Sequence, residues 1–108
     1  MYRITSHYRW SHGARFDAVY YQTEHMRITL QATGPLGLVR LESDLVHRVA
    51  PLQAGDLVAS THACFATLSQ AQAALAEAGP CLRADLSRYT NIKPELFFVL
   101  VSHHSHEG

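Results

Sequence analysis

The chain has 108 residues, of which 47% are hydrophobic and 17% are charged, and nine basic residues balance nine acidic ones. This length suffices for one domain with a modest core, and the composition excludes a largely disordered chain. Without net charge, no long-range field draws the protein to nucleic acid or to an anionic membrane, so we expect neither as a partner.

The cysteines and the apolar runs indicate the compartment. Cys64 and Cys81 stand alone, without the CxxC spacing of redox or metal sites, so we expect two reduced thiols. The N-terminus has no secretory signal, and no apolar run approaches the roughly 20 residues of a membrane span. These features predict a cytoplasmic protein.

The first two predicted elements are a strand and a helix. Residues 2–10 alternate between two faces, which is the pattern of a half-buried strand. A helix is predicted over residues 17–33, because Asp17 can cap its free backbone N–H groups and Gly34 and Pro35 end it.

The remaining elements complete an order of strands and helices. In chain order we predict strands at residues 36–49 and 57–66, a helix at 68–78, a short helical turn at 81–88 and a strand at 95–102. Gly79 and Pro80 are expected to end the second helix, because proline interrupts the backbone hydrogen bonds. The βαββαβ order predicts an α+β, ferredoxin-like fold, with a four-stranded antiparallel sheet and both helices on one face. Residues 1–102 form this predicted domain, and residues 103–108 form a His-rich tail.

The last predicted strand is apolar on both of its faces. Residues 96–101 read Leu-Phe-Phe-Val-Leu-Val, without alternation. Two helices cover only one face of a four-stranded sheet, so the other face needs a different cover. A second copy of the sheet is the simplest cover, and the pattern predicts a homodimer that pairs face to face. A long apolar ligand that shares this task is the alternative.

Two sequence blocks add a resemblance. The first reads F-D-x-x-Y-Y-x-x-x-H-M over residues 16–26, and the second reads Y-T-N-I-x-P over residues 89–94. Together they resemble the EthD family, which is named for a small protein linked to ethyl tert-butyl ether degradation and belongs to the dimeric α+β barrel superfamily. The resemblance covers nearly the whole domain, and it implies a dimeric α+β barrel with a ligand cleft between sheet and helices. It implies no particular reaction.

Two features depart from the family pattern. Arg27 stands where family members often have a proline. The connection between the second and third strands is shorter than usual, so we expect one wall of the cleft to differ.

The first helix carries the leading candidates for function. At about 100° per residue, its predicted core face consists of Phe16, Val19, Tyr20, Thr23, Met26 and Leu30. Tyr21 and His25 then lie on a flank, where they face a cleft edge, a partner chain or water. His25 is a candidate general acid or base, and Tyr21 is a candidate hydrogen-bond donor to a ligand. The alternatives are a histidine bonded to a backbone carbonyl or a partner chain, and a tyrosine that only packs.

The third strand adds the predicted pocket wall. Alternation places Ala59, Thr61 and Ala63 beneath the helices and His62 on the opposite, dimer-facing side. These small side chains leave room, so the predicted ligand pocket consists of Tyr21, His25, Ala59, Thr61 and Ala63. Bulky helix side chains that fill this gap are the alternative.

No motif in the sequence predicts a bound metal or cofactor. A phosphate-binding loop, a dinucleotide fingerprint, an HExxH pair and metal-spaced cysteines are all absent. His103, His104, His106 and Glu107 lie in the tail, where structure does not hold ligands in place, so we expect no metal site. Residues 89–91 are predicted to form a turn whose asparagine bonds nearby backbone.

Three functions remain open from the sequence. The first is a dimeric α+β barrel protein that binds a small hydrophobic or aromatic metabolite, with cofactor-free proton transfer, cyclisation or oxygenation by His25 and Tyr21. The second is a non-catalytic ligand-binding or accessory protein that uses the same pocket. The third is a haem-handling protein, with His7, His25 or His62 as the axial ligand.

Overall fold

The protein forms one antiparallel sheet with two helices on one face. The structure is a computed structural model and describes residues 1–106. Its strands are β1 (Tyr2–Arg9), β2 (Leu38–Leu45), β3 (Leu57–Phe65) and β4 (Glu95–Leu100). They lie in the order β2-β3-β1-β4, and every neighbouring pair is antiparallel. The first helix spans residues 18–33, and the second spans Leu68–Leu86. The predicted ferredoxin-like fold is confirmed.

The second and the last strand are shorter than predicted. The predicted second strand is too long, because Gly34–Leu36 forms a 3₁₀ turn and Gly37 adopts a φ of 95°, which ends that turn before the strand begins. The last strand ends at Leu100 because its partner β1 begins opposite it, at Tyr2. A strand continues only as far as its neighbour offers hydrogen bonds.

Asp17 caps the first helix, as predicted. Its carboxylate accepts a hydrogen bond from the backbone N–H of Tyr20, at 3.1 Å. The helix is not uniform after this cap, because an α-helical turn, Ala18–Tyr20, is followed by a π-helical turn, Tyr21–His25, and then by the α-helix Met26–Thr33.

The predicted core face of the first helix is partly wrong. Met26 is buried and Phe16 and Tyr20 pack against the core, as predicted, but the other three positions are exposed. Val19 and Leu30, which were placed in the core, are 74% and 51% exposed, whereas Tyr21 and His25, which were placed on a flank, are 0% and 5% exposed. The buried stripe consists of Tyr21, His25, Thr29 and Thr33, each four residues from the next. Such a stripe drifts by about 40° per step around a regular α-helix. The wider π-helical turn offsets part of this drift.

The second helix runs through Pro80, contrary to the prediction that Gly79 and Pro80 end it. Ala74 and Ala78 before the proline and Asp85 after it are buried, so the helix packs on both sides of this position. Pro80 itself lies on the exposed face, and so does Ala76, whose carbonyl loses its helical partner. Water can bond to that carbonyl, and the packing outweighs the one lost hydrogen bond.

We therefore expect Pro80→Ala to raise the free energy of unfolding by about 1 to 3 kcal/mol, because alanine restores an interior helical hydrogen bond. Urea denaturation measures the change. Pro35→Ala is the matched control, since Pro35 lies at the start of a 3₁₀ turn, where proline is tolerated, and should give no such gain. A Pro80→Ala protein that is less stable than the parent would contradict the continuous helix.

The structure also describes the two cysteines, the length and apolarity of the helices, and the grouping of possible metal ligands. Cys64 is buried and Cys81 exposed, and both are free thiols. Over residues 1–106, no helix combines the length and apolarity needed to cross a bilayer. The same residues contain no group of three His, Cys, Asp or Glu side chains placed to hold a metal ion. Residues 107–108, the end of the predicted tail, lie outside the described residues.

Candidate functional site

A pocket of about 90 Å³ lies between the sheet and the two helices. Thr61 and Ala63 of β3 contribute to its floor, and Ala78 and Gly79 of the second helix contribute to the opposite wall. These four residues are small and leave space between the sheet and the helix, and larger side chains such as Tyr8, Leu82 and Leu86 also line that space. His25 of the first helix completes the wall.

His25 forms a buried pair with Asp85 of the second helix. The distance from His25 Nδ1 to Asp85 Oδ2 is 2.9 Å, and both side chains are more than nine-tenths buried. A carboxylate oxygen can only accept, so Nδ1 carries the hydrogen and donates it. This contact excludes the alternative of a histidine held by a backbone carbonyl.

Two further residues bind the same carboxylate. The Tyr20 hydroxyl donates to Asp85 Oδ1 at 2.8 Å, and Arg88 Nε lies 3.5 Å from that oxygen. The hydrogen bond to this carboxylate raises the pKa of Tyr20, and burial and charge repulsion from Asp85 add to the effect. Asp85 is thus fixed by three neighbours, and it fixes the orientation of the His25 ring.

The other nitrogen of His25, Nε2, forms no hydrogen bond with residues 1–106. Among residues 1–106, Nδ1 makes the only hydrogen bond of this imidazole. With Nδ1 protonated, Nε2 has a lone pair and can accept a proton. A buried carboxylate next to an imidazole fixes the tautomer in this way and stabilises the imidazolium that forms.

Tyr21 supports the pocket wall rather than forming it. It is fully buried, and its hydroxyl donates to the carbonyl of Ser60 at 2.7 Å. Because that proton is used, the Thr61 hydroxyl at 2.6 Å is the donor to Tyr21. Burial raises the pKa of Tyr21, so its hydroxyl keeps its proton. The structure brings His25, Thr61 and Ala63 together at the pocket, with Tyr21 behind Thr61.

Ala59 lies in the core beside this pocket, not on its wall. It belongs to an aromatic cluster whose buried members include Tyr8, Tyr21 and Tyr89. The small side chain of Ala59 therefore makes room for these rings and does not leave a gap.

The aromatic cluster joins the two sequence blocks. Tyr89 is fully buried, its hydroxyl is hydrogen-bonded to the Tyr8 hydroxyl at 2.8 Å, and its ring centroid lies 4.6 Å from that of His25. The backbone N–H of Asp17 donates to the carbonyl of Tyr89 at 2.7 Å. Burial is the main cause of a raised pKa at Tyr89. The C-terminal block thus packs directly against the start of the first helix and the candidate histidine.

Asn91 has the predicted structural role, with more distant partners. Its side chain accepts from the backbone N–H of Arg15 at 2.8 Å and donates to the carbonyl of Gly13 at 3.0 Å. These bonds tie the chain after the second helix to the loop before the first one.

Sequence reasoning missed Asp85. The signal was present, because Ala71, Ala74, Ala78, Leu82 and Asp85 follow at helical spacings of three and four residues. This stripe could not be extended to the carboxylate once the helix was predicted to end at Pro80.

A second histidine–carboxylate pair lies on the opposite face of the sheet, where His62 was predicted. His62 Nε2 is 2.8 Å from Asp44 Oδ2, and its Nδ1 is 3.3 Å from the Thr5 hydroxyl. Asp44 is more than half exposed. This pair faces away from the helices and takes no part in the pocket.

The pocket is small. Pockets for drug-sized ligands have volumes of about 300 to 1,000 Å³, whereas this one measures about 90 Å³. This volume limits a ligand of the pocket to a small molecule and is far below that of a macrocycle such as haem.

The fold and the site define a small α+β protein with a carboxylate–imidazole pair beside a mostly apolar pocket. Comparison with solved structures shows that this fold is the one of the EthD-like proteins. An EthD-like protein from Ralstonia eutropha JMP134 is 23% identical, with a TM-score of 0.76, and the match covers 91% of this chain and 88% of that chain. An ethyl tert-butyl ether degradation family protein from Bacillus halodurans C-125 is 13% identical, with a TM-score of 0.69 and coverages of 94% and 99%.

HapK from Hahella chejuensis is more distant, with 15% identity, a TM-score of 0.50 and coverages of 99% and 100%. No protein-family model and no curated protein sequence matches the chain. The likeness to solved structures establishes the fold, and with it the resemblance read from the two sequence blocks is confirmed at the level of fold.

Proposed function

We propose that this protein binds a small hydrophobic or aromatic molecule in the pocket and moves a proton to or from it through Nε2 of His25. The observation that carries the proposal is the buried His25–Asp85 pair beside small and apolar pocket residues. An imidazole held in one tautomer next to a water-poor pocket is arranged as a general base.

The proposed step uses only groups of this chain. Nε2 takes a proton from a C–H or O–H group of the ligand, and the electron pair stays on the ligand. The imidazolium that results is stabilised by the Asp85 carboxylate on the other nitrogen. Tyr21 supports the step by holding Thr61 at the wall.

The experiment that tests this function is proton abstraction from nitrobenzisoxazole, a small aromatic carbon acid. A base removes its ring proton, the N–O bond breaks, and the product is a coloured cyanophenolate. We expect a saturable rate above that of buffer. Saturable binding without turnover would favour the second function, a non-catalytic ligand-binding protein.

We also propose that two copies of the chain pair face to face through the side of the sheet that carries no helices, with β4 in the contact. This edge strand carries large apolar side chains on both faces, and Leu96, Phe97, Phe98 and Leu100 are each between 43% and 62% exposed. Leu96 lines the pocket beneath the helices and is still 47% exposed, so the helices cover β4 only in part. An exposed, apolar edge strand favours association with another chain.

We expect light scattering at micromolar concentration to give the mass of a dimer, and Phe97→Asp to reduce it to that of a monomer, because the interface would have to bury an unpaired carboxylate. Val19→Asp is the control, since Val19 is an exposed apolar residue of the first helix. A wild-type monomer would refute the dimer. A long apolar ligand would then be the remaining candidate to cover the exposed face of the sheet.

A further inference from the structure

Arg83 of the second helix lies at the pocket and has no polar partner among residues 1–106. Within residues 1–106, the other seven arginines each form a hydrogen bond or an ion pair with the protein: Arg3, Arg9, Arg15, Arg27, Arg40, Arg48 and Arg88. Arg83 forms neither, although it lines the pocket that contains His25. Its charge is therefore available to a ligand.

Gly79 allows the Arg83 guanidinium to lie against the helix at the pocket. A Cβ atom at position 79 would come within 2.9 Å of Arg83 Nη1, so the guanidinium, at the end of its flexible side chain, would have to shift. Gly79 is itself buried and lines the pocket. The absence of a side chain at position 79 thus keeps the cation near the pocket, one helical turn from its own backbone.

The charges around the pocket favour an anion. In the described part of the chain, residues 1–106, its lining includes Arg83 and His25 but no aspartate or glutamate. The carboxylate next to His25, that of Asp85, is already bonded to His25 and Tyr20. A guanidinium presents two parallel N–H groups that match the two oxygens of a carboxylate.

We propose that the ligand of this pocket is a small carboxylic acid with an apolar or aromatic body, whose carboxylate binds Arg83 while its body lies between Ala63 and Ala78. This inference rests on the proposed function, because it assigns the substrate class of the same site. A single guanidinium and a pocket of about 90 Å³ suit a singly charged carboxylate better than a phosphate dianion.

The test compares benzoate with benzamide, which has the same shape and no charge, by isothermal titration calorimetry on the wild-type protein. We expect benzoate to bind about tenfold more tightly, because only the carboxylate can form a charge-assisted pair with Arg83. Arg83→Met should abolish this preference, and Arg83→Lys should keep part of it. Gly79→Ala should weaken benzoate binding as well, because the new methyl group displaces the guanidinium. Arg27→Met, which removes an arginine paired with Glu24, is the control and should leave the preference unchanged.

Three results would overturn the inference: equal affinities for the two compounds, a preference that survives in Arg83→Met, or no saturable binding of benzoate. Tighter binding of phenyl phosphate than of benzoate would also overturn it in favour of a phosphate ligand. The inference and the proposed function can fail separately. If the wild-type protein acts on the uncharged nitrobenzisoxazole through His25 but does not prefer benzoate, the carboxylate ligand is disproved. The proposed proton transfer by His25 then still stands.

Discussion

His25→Gln is expected to lower the rate of proton abstraction from nitrobenzisoxazole by about 100-fold or more, the usual contribution of a positioned general base. Glutamine has a similar size and can still donate to Asp85 Oδ2, but it has no basic nitrogen. The initial rate of product absorbance measures the effect, and circular dichroism checks that the variant is folded. His12→Gln, which changes an exposed loop histidine, is the control.

Asp85→Asn gives an independent test of the same site. The amide of asparagine would donate to Nδ1 of His25, and the ring hydrogen would then reside on Nε2. Nε2 could then no longer accept a proton, so we expect a loss of at least about tenfold without a change in shape. Unchanged rates in both variants would show that His25 is a structural residue, and the proton-transfer proposal would then fail.

Tyr89→Ala should have the largest effect on stability, lowering the free energy of unfolding by about 3 to 5 kcal/mol, as the loss of a buried aromatic ring does. Tyr89 is fully buried, contacts the rings of His25 and Tyr20, and holds the second sequence block against the first helix. A loss of this size is a large part of the stability of a small domain. Urea denaturation measures the change.

Tyr89→Phe is the matched control, because it keeps the ring and removes only the hydrogen bond to Tyr8. We expect a loss of about 1 kcal/mol from this change. If Tyr89→Ala proved no more destabilising than Tyr89→Phe, the packing of the C-terminal block would not matter to the core, contrary to the structure.

The order of elements and the fold could be predicted from the sequence because they depend on local patterns. Alternation in residues 2–9, the cap at Asp17 and the apolar run at residues 96–100 each act within a few neighbouring residues. The family resemblance came from two blocks, and the structure gives the reason they occur together. The backbone of Asp17 bonds to Tyr89, and the side chain of Asn91 bonds to the backbone of Arg15.

The composition of the site could not be predicted in the same way. The buried stripe of the first helix depends on a π-helical turn at residues 21–25, which shifts every later residue relative to a regular helix. The partner of His25 depends on the second helix continuing through Pro80. Both features contradict local preference and persist because packing on the sheet compensates for them.

The sequence by itself determined the antiparallel α+β sheet, the helix start at Asp17 and the apolar edge strand, because hydrophobic periodicity and capping are properties of contiguous residues. The tertiary structure alone decided that His25 is buried, that it pairs with Asp85, 60 residues away, and that Arg83 lies at the same pocket. Those relations depend on how two helices lie on one sheet. No pattern along a single helix contains that information.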